Sequence, residues 1–165
     1  MPDHPVRAED GVADEIVNDL VSRLRATRQE LRISRVRLAA GLEVSEFAVV
    51  SWETGRDIPI VVNFFRWAHE LGYVVDIREA SSDVRVADSD SSLGMRGAEY
   101  SLLWIVRALR KVRMETALSQ RALSARLGVS LWTIGQWESA QRTPRLPHLV
   151  QWCGVLNRRL VLARG

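Results

Sequence analysis

Apolar residues recur at Ile16, Val17, Leu20, Val21 and Leu24, a spacing that keeps them on one face of a helix. The same spacing returns at Leu102, Ile105, Val106 and Leu109. Each run is followed by two short helical segments, and a serine suited to N-capping precedes every one of them: Ser34, Ser45, Ser119 and Ser130. A longer helix is predicted after Pro59, carrying Phe64, Ala68 and Leu71, and again after Pro144, carrying Leu149, Cys153 and Leu156. The period then changes. Tyr73-Val74-Val75-Asp76-Ile77 and Arg159-Leu160-Val161-Leu162 are short, apolar or β-branched, and follow the turn residues Gly72 and Asn157. Each reads as a single strand.

The pattern is a repeat. Val44–Glu53 reads VSEFAVVSWE and Val129–Glu138 reads VSLWTIGQWE, and positions 44 and 129 differ by 85. Held fixed without a gap, that offset sets Leu24 on Leu109, Arg28 on Arg113, Pro59 on Pro144 and Trp67 on Trp152. The match runs from about Leu20 to Glu79 and from about Ile105 to Arg164. Each copy is long enough to fold around its own small core, so two tandem domains are expected rather than a solenoid. The expected organisation is a flexible tail at 1–12, a first domain at 13–80, a Ser- and Asp-rich flexible linker at 81–97 and a second domain at 98–165.

Net charge over the whole chain is only +3, but the copies differ. Residues 13–80 carry nine arginines against eleven acids, a net of −2, while residues 97–165 carry eleven Lys and Arg against three acids, a net of +8. A strongly basic small domain is the electrostatic footprint of a nucleic-acid binder, or else a basic face kept for solubility. No apolar run approaches the roughly 20 residues needed to span a bilayer. The single cysteine, Cys153, excludes an internal disulfide and suits a reducing compartment, and a cytoplasmic location is expected. Enzymatic readings find little: His4, His69 and His148 are isolated, there is no metal-ligand spacing, phosphate loop or nucleophile elbow, and no cofactor is implied.

The second copy carries the chemistry in Leu118–Pro144, LSQRALSARLGVSLWTIGQWESAQRTP. Leu123 and Leu127 pack one helix, Val129 fills a turn opened by Gly128, and Ile134 with Trp137 anchors the next helix. Its Ser-Gln start, Leu-Gly-Val-Ser turn and Ile-x-x-Trp-Glu segment closely resemble the helix-turn-helix of the Cro/repressor-type (XRE) family. The first copy, Ile33–Pro59, resembles that family through Ser34, Leu38, Leu42, Val44, Ser45, Val49, Trp52, Glu53 and Gly55. It departs at Arg35, which replaces the glutamine, and at Glu43, which replaces the turn glycine.

The resemblance implies a mostly α fold: two lambda-repressor-like helix-turn-helix domains in tandem, each ending in a short strand. It implies double-stranded DNA as the partner. In the second copy the DNA-contacting candidates are Gln120, Ser130, Leu131, Trp132, Thr133, Gln136 and Arg142. Gln120 and the basic residues would fix phosphates, while Thr133, Gln136 and Trp132 would read base edges. In the first copy the candidates are Arg35, Ser45, Glu46, Phe47, Ala48, Ser51 and Arg56. The resemblance also implies scaffold ion pairs, Arg28 with Glu53 and Arg113 with Glu138, each pair 25 positions apart. Trp132 has a second reading, a contact between the domains, and Trp104, with no equivalent aromatic, is a candidate for the same interface.

Two functions remain open: a transcriptional repressor, and an antitoxin or protein-interaction adaptor whose first domain binds a toxin or other protein through Phe47 and Val50. Family members that end in a strand pair it with a second subunit. Here one chain carries both strands, so they are expected to pair with each other and make a monomeric pseudo-dimer, a homodimer being the alternative. A linker of this length, with a root-mean-square reach of about 20–25 Å, permits the arrangement.

Overall fold

The computed structural model describes residues 8–82 and 97–165. The expected linker therefore lies almost wholly outside the described residues, as do residues 1–7 of the expected tail. The first half contains α1 (Ala8–Glu30), α2 (Arg35–Leu42), α3 (Glu46–Glu53), α4 (Val61–Glu70) and β1 (Tyr73–Glu79). The second contains α5 (Ala98–Glu115), α6 (Gln120–Leu127), α7 (Leu131–Glu138), α8 (Leu146–Val155) and β2 (Arg158–Arg164). Residues 8–12 are helical, which corrects the tail expected at 1–12. The reason is tertiary: Ala13 and Val17 are buried, and the Gln151 amide on α8 donates to the Asp10 carboxylate at 2.7 Å. The first turns of α1 are held by the other half of the molecule.

The halves repeat one backbone pattern. Positive-φ residues pair at the 85-residue offset: Arg32 with Ala117, Glu43 with Gly128, Gly55 with Ala140 and Gly72 with Asn157. Left-handed backbone is costly for residues with a Cβ, so its recurrence at equivalent positions marks turns that the packing enforces.

The two strands form an antiparallel pair. Its register sets Asp76 opposite Val161, the residue at its own offset position, and exchanges Val75–Leu162 for Ile77–Leu160 about that centre. A pseudo-two-fold axis therefore passes between Asp76 and Val161. The flanking bonds obey it: the Ala80 amide donates to the Asn157 carbonyl and the Gly165 amide to the Gly72 carbonyl, both at 3.1 Å. Alternation from these bonds points the Asp76 and Val161 amides across the pair and the Val75 and Ile77 amides away from it. The Ile77 amide donates instead to Asp76 Oδ1 at 2.9 Å.

The core corrects the expectation of one core per copy. One cluster of buried side chains runs through both halves, with Trp67, Trp152, Phe64, Leu24 and Leu109 fully buried in it. Its continuity comes from reciprocal packing, because α1 lies against α8 of the other half and α5 lies against α4. Units this small bury too little surface alone, and each gains what the other supplies. Trp104 is half-buried against this cluster. Among the described residues no helix is long and apolar enough to cross a membrane.

Candidate nucleic-acid interface

Each short helix starts where a serine fixes it. Ser34, Ser45, Ser119 and Ser130 are extended, and their hydroxyls accept from the amides of Arg37, Ala48, Ala122 and Thr133 at 3.0–3.1 Å. These are N-caps, each satisfying an amide that the helix itself leaves open. The turn joining α6 to α7 passes through Gly128 at φ 67°, and that joining α2 to α3 passes through Glu43 at φ 56°. Val44 and Val129 pack against the core beneath these turns.

A three-helix clamp then sets the angle of each helix pair. Arg113 on α5 donates through Nε and Nη2 to the Glu138 carboxylate at 2.5 and 2.9 Å, and through Nη1 to the Leu118 carbonyl at 2.8 Å. The Gln120 amide on α6 donates to the same carboxylate at 2.8 Å. In the first half, Arg28 grips Glu53 at 2.5 and 3.0 Å and the Ile33 carbonyl at 2.7 Å, and Arg35 adds a bond to Glu53 at 2.7 Å. Charged bidentate contacts of this kind are strong and directional. Burial raises the Glu53 pKa, but hydrogen bonds from Arg28 and Arg35, together with their charges, outweigh it and hold the carboxyl below its usual range.

The clamp changes the part expected of two residues. Gln120 and Arg35 were candidates for phosphate contact; instead each side chain is engaged inside its own half, 18 positions before the carboxylate it serves. Ser51 is corrected outright. It is 3 % exposed, and its hydroxyl donates to the Asp57 carboxylate at 2.5 Å, so it does not lie on the outward face. Ala48 is half-buried and packs against the core.

The exposed surface of α7 is led by Trp132, 58 % exposed, and Leu131, 41 % exposed. The guanidinium of Arg142, from the same half, lies over the Trp132 ring, 4.8 Å from the centroid. Thr133 and Gln136 are half-buried beside them, the Thr133 hydroxyl 2.8 Å from that of Ser130. Arg121, Arg126 and Arg145 are also exposed, residues that the helix-turn-helix pattern does not single out. On the first half the corresponding surface presents Glu46, Arg56 and Phe47, the last 66 % exposed, along with Val36 and Ile60. Val36 and Ile60 stand at the positions of Arg121 and Arg145. The one thiol, Cys153, is fully buried, and burial pushes its pKa up to about 12, which leaves it inert. Among the described residues no group of acids, histidines and cysteine could hold a metal ion.

Residues 109–162 match the helix-turn-helix family HTH_3. The matched segment runs from the second half of α5 through α6, α7 and α8 into β2, and includes Arg113, Gln120 and Glu138 of the clamp. Comparison with curated proteins and with solved structures finds no match.

Proposed function

We propose that this protein is a sequence-specific double-stranded DNA-binding regulator, a cytoplasmic transcriptional repressor, whose α7 enters the major groove. The observation that carries this reading is the surface of the helix-turn-helix segment. Trp132, Thr133 and Gln136 are grouped on α7 of the half that holds a net +8. Arg121, Arg126 and Arg142 supply exposed charge for phosphates, which position without reading sequence. Gln136 is suited to adenine, since an amide can hydrogen-bond that edge twice, worth about 1–3 kcal/mol of discrimination. No cofactor and no catalytic role is proposed.

The first half is proposed as a second, divergent helix-turn-helix, supported by its equivalent caps, turns and clamp. A single chain would then present two different recognition helices, α3 and α7, and its preferred site would be asymmetric. The β1–β2 pairing within one chain supports a monomer.

Selection of bound fragments from a genomic library, followed by fluorescence anisotropy at two salt concentrations, tests the proposal. Affinity for selected duplexes falls steeply with salt, Arg121→Ala weakens all duplexes alike, and Gln136→Ala relaxes sequence preference. Binding that ignores salt, or unchanged preference in Gln136→Ala, counts against it. A second reading, a protein adaptor, is favoured by one feature: Val36, Phe47 and Ile60 are 59–66 % exposed on the first half. An Arg121→Ala, Gln136→Ala protein without DNA binding that keeps its regulatory effect in cells would select that reading.

A further inference from the structure

We infer that Trp132 is a positioning residue: it holds the Arg142 guanidinium in place beside α7, and the two grip a DNA phosphate as one unit. This role rests on the DNA-binding reading above, and it differs from the expected reading of a base edge by Trp132. The Arg142 guanidinium lies 4.8 Å from the Trp132 ring centroid, and both side chains are exposed. Arg142 makes no ion pair among the described residues. A surface arginine ordinarily samples many rotamers, and ordering it on binding costs free energy. The ring removes part of that cost before DNA arrives. Contact over a ring uses the face of the cation and none of its N–H donors, so the fork stays open to a phosphate, which it can meet with two parallel bonds.

The loop after α7 brings the two side chains together. The amides of Gln141 and Arg142 donate to the Gln136 carbonyl at 2.9 and 3.1 Å, which ties the arginine's backbone to the helix. Gln136 and Trp132, four positions apart, share a face of that helix.

The first half has the same loop with other side chains. There the amides of Arg56 and Asp57 donate to the Ser51 carbonyl at 2.9 and 3.3 Å. Phe47 stands at the position of Trp132 and Asp57 at that of Arg142, and the Asp57 carboxylate accepts from the Ser51 hydroxyl at 2.5 Å. One backbone therefore carries two outcomes, an acid engaged by its own helix and a cation laid over a tryptophan. The loop alone does not set the direction of the side chain; its chemistry and the ring beside it do.

The test uses the full chain, a fluorescein-labelled duplex from the selection above, and Kd values at several salt concentrations. In NMR spectra of the free protein the Arg142 side-chain protons lie upfield through the ring current of Trp132. That shift is lost in Trp132→Leu and kept in part in Trp132→Phe. Trp132→Leu weakens every duplex about two- to fivefold, the range of an exposed cation–ring contact. Arg142→Ala weakens them at least as much and lowers the salt slope by about one. Trp132→Leu removes no charge yet lowers the slope as well, which a packing or base-reading role would not do. The double variant binds no more weakly than Arg142→Ala, because the ring acts only through the arginine. Preference among single-base variants of the duplex is unchanged in Trp132→Leu, and Trp132→Phe holds most of the affinity. Circular dichroism checks each fold, and if Trp132→Leu is unfolded, Trp132→Gln replaces it with the same expected losses. Additive losses in the double variant, an unchanged slope or relaxed preference in Trp132→Leu, or no upfield shift in the free protein overturns this role while wild-type DNA binding stands. Failure of the wild-type protein to bind any duplex overturns the DNA-binding reading and this role with it.

Discussion

A single backbone angle separates the turns of the two helix pairs. Gly128 holds φ 67° freely, but Glu43 holds φ 56° with a Cβ in place, a conformation that costs roughly 1–2 kcal/mol for such a residue. Glu43→Gly is expected to raise stability by about 1 kcal/mol, read as a higher urea midpoint. Gly128→Glu should lower it by a similar amount, and a loss in Glu43→Gly would show that the carboxylate contributes more than the angle costs. A second residue-scale prediction concerns His148, whose ring centroid is 5.5 Å from that of Trp137. Burial lowers its pKa below 6.5, the Arg145 charge lowers it further, and Asp10 opposes them. The unfolded chain therefore binds the proton first, so stability is complete above 6.5 and declines as pH falls through the window beneath it. Glu53, also lowered, adds a separate decline that begins only below 4.5. His148→Asn should flatten the upper decline and leave the lower one, measured as urea midpoints against pH.

At the scale of elements, the strand pair is governed by its centre. Asp76 is fully buried, faces Val161, and accepts the Ile77 amide that points away from the ladder. Removing that acceptor leaves a buried donor, at a cost of about 1–3 kcal/mol. Asp76→Ala should show this loss and Asp76→Asn should recover part of it by thermal melting. Equal losses would mean that the charge, not this hydrogen bond, is what the site requires. The same centre bears on association. A β1–β1 pairing between chains in this symmetric register would set Asp76 against Asp76, and like charges directly opposite are destabilising. The heterologous pair avoids that. Proline at Val75 or Leu160 is a poor probe of the ladder, since those amides point outward; Val161 is the position where proline removes a bond across the pair.

For the whole molecule, the exchange of first helices makes the halves interdependent. With α1 on α8, α5 on α4 and one cluster through both, neither half has a complete core of its own. Thermal unfolding followed by circular dichroism and by tryptophan fluorescence should give one coincident transition, the mark of a single cooperative unit. Two separated transitions would show that the halves unfold independently. The lopsided charge survives this fusion. A basic surface and an apolar, acidic one are carried on a common frame, and the asymmetric DNA site proposed above rests on that difference.

What the sequence alone determined is whatever depends on neighbours within a few residues or on the repeat. Helical periods, serine-started helices, the two short strands and the 85-residue offset are written in local spacing, because side chains three or four apart share a helix face. The strand pairing was legible too, since both strands keep their apolar residues at equivalent positions. The remainder was decided between elements far apart in the chain. The first turns of α1 look like a charged tail until α8 supplies Gln151 and a surface for Ala13. Ser51 lies at an outward position by motif, yet the loop after α3 brings Asp57 to its hydroxyl. Gln120 and Arg35 resemble free polar groups until the end of the following helix delivers a carboxylate to each. Burial and hydrogen bonding belong to pairs of surfaces, and which surfaces meet is set by the packing of the whole chain.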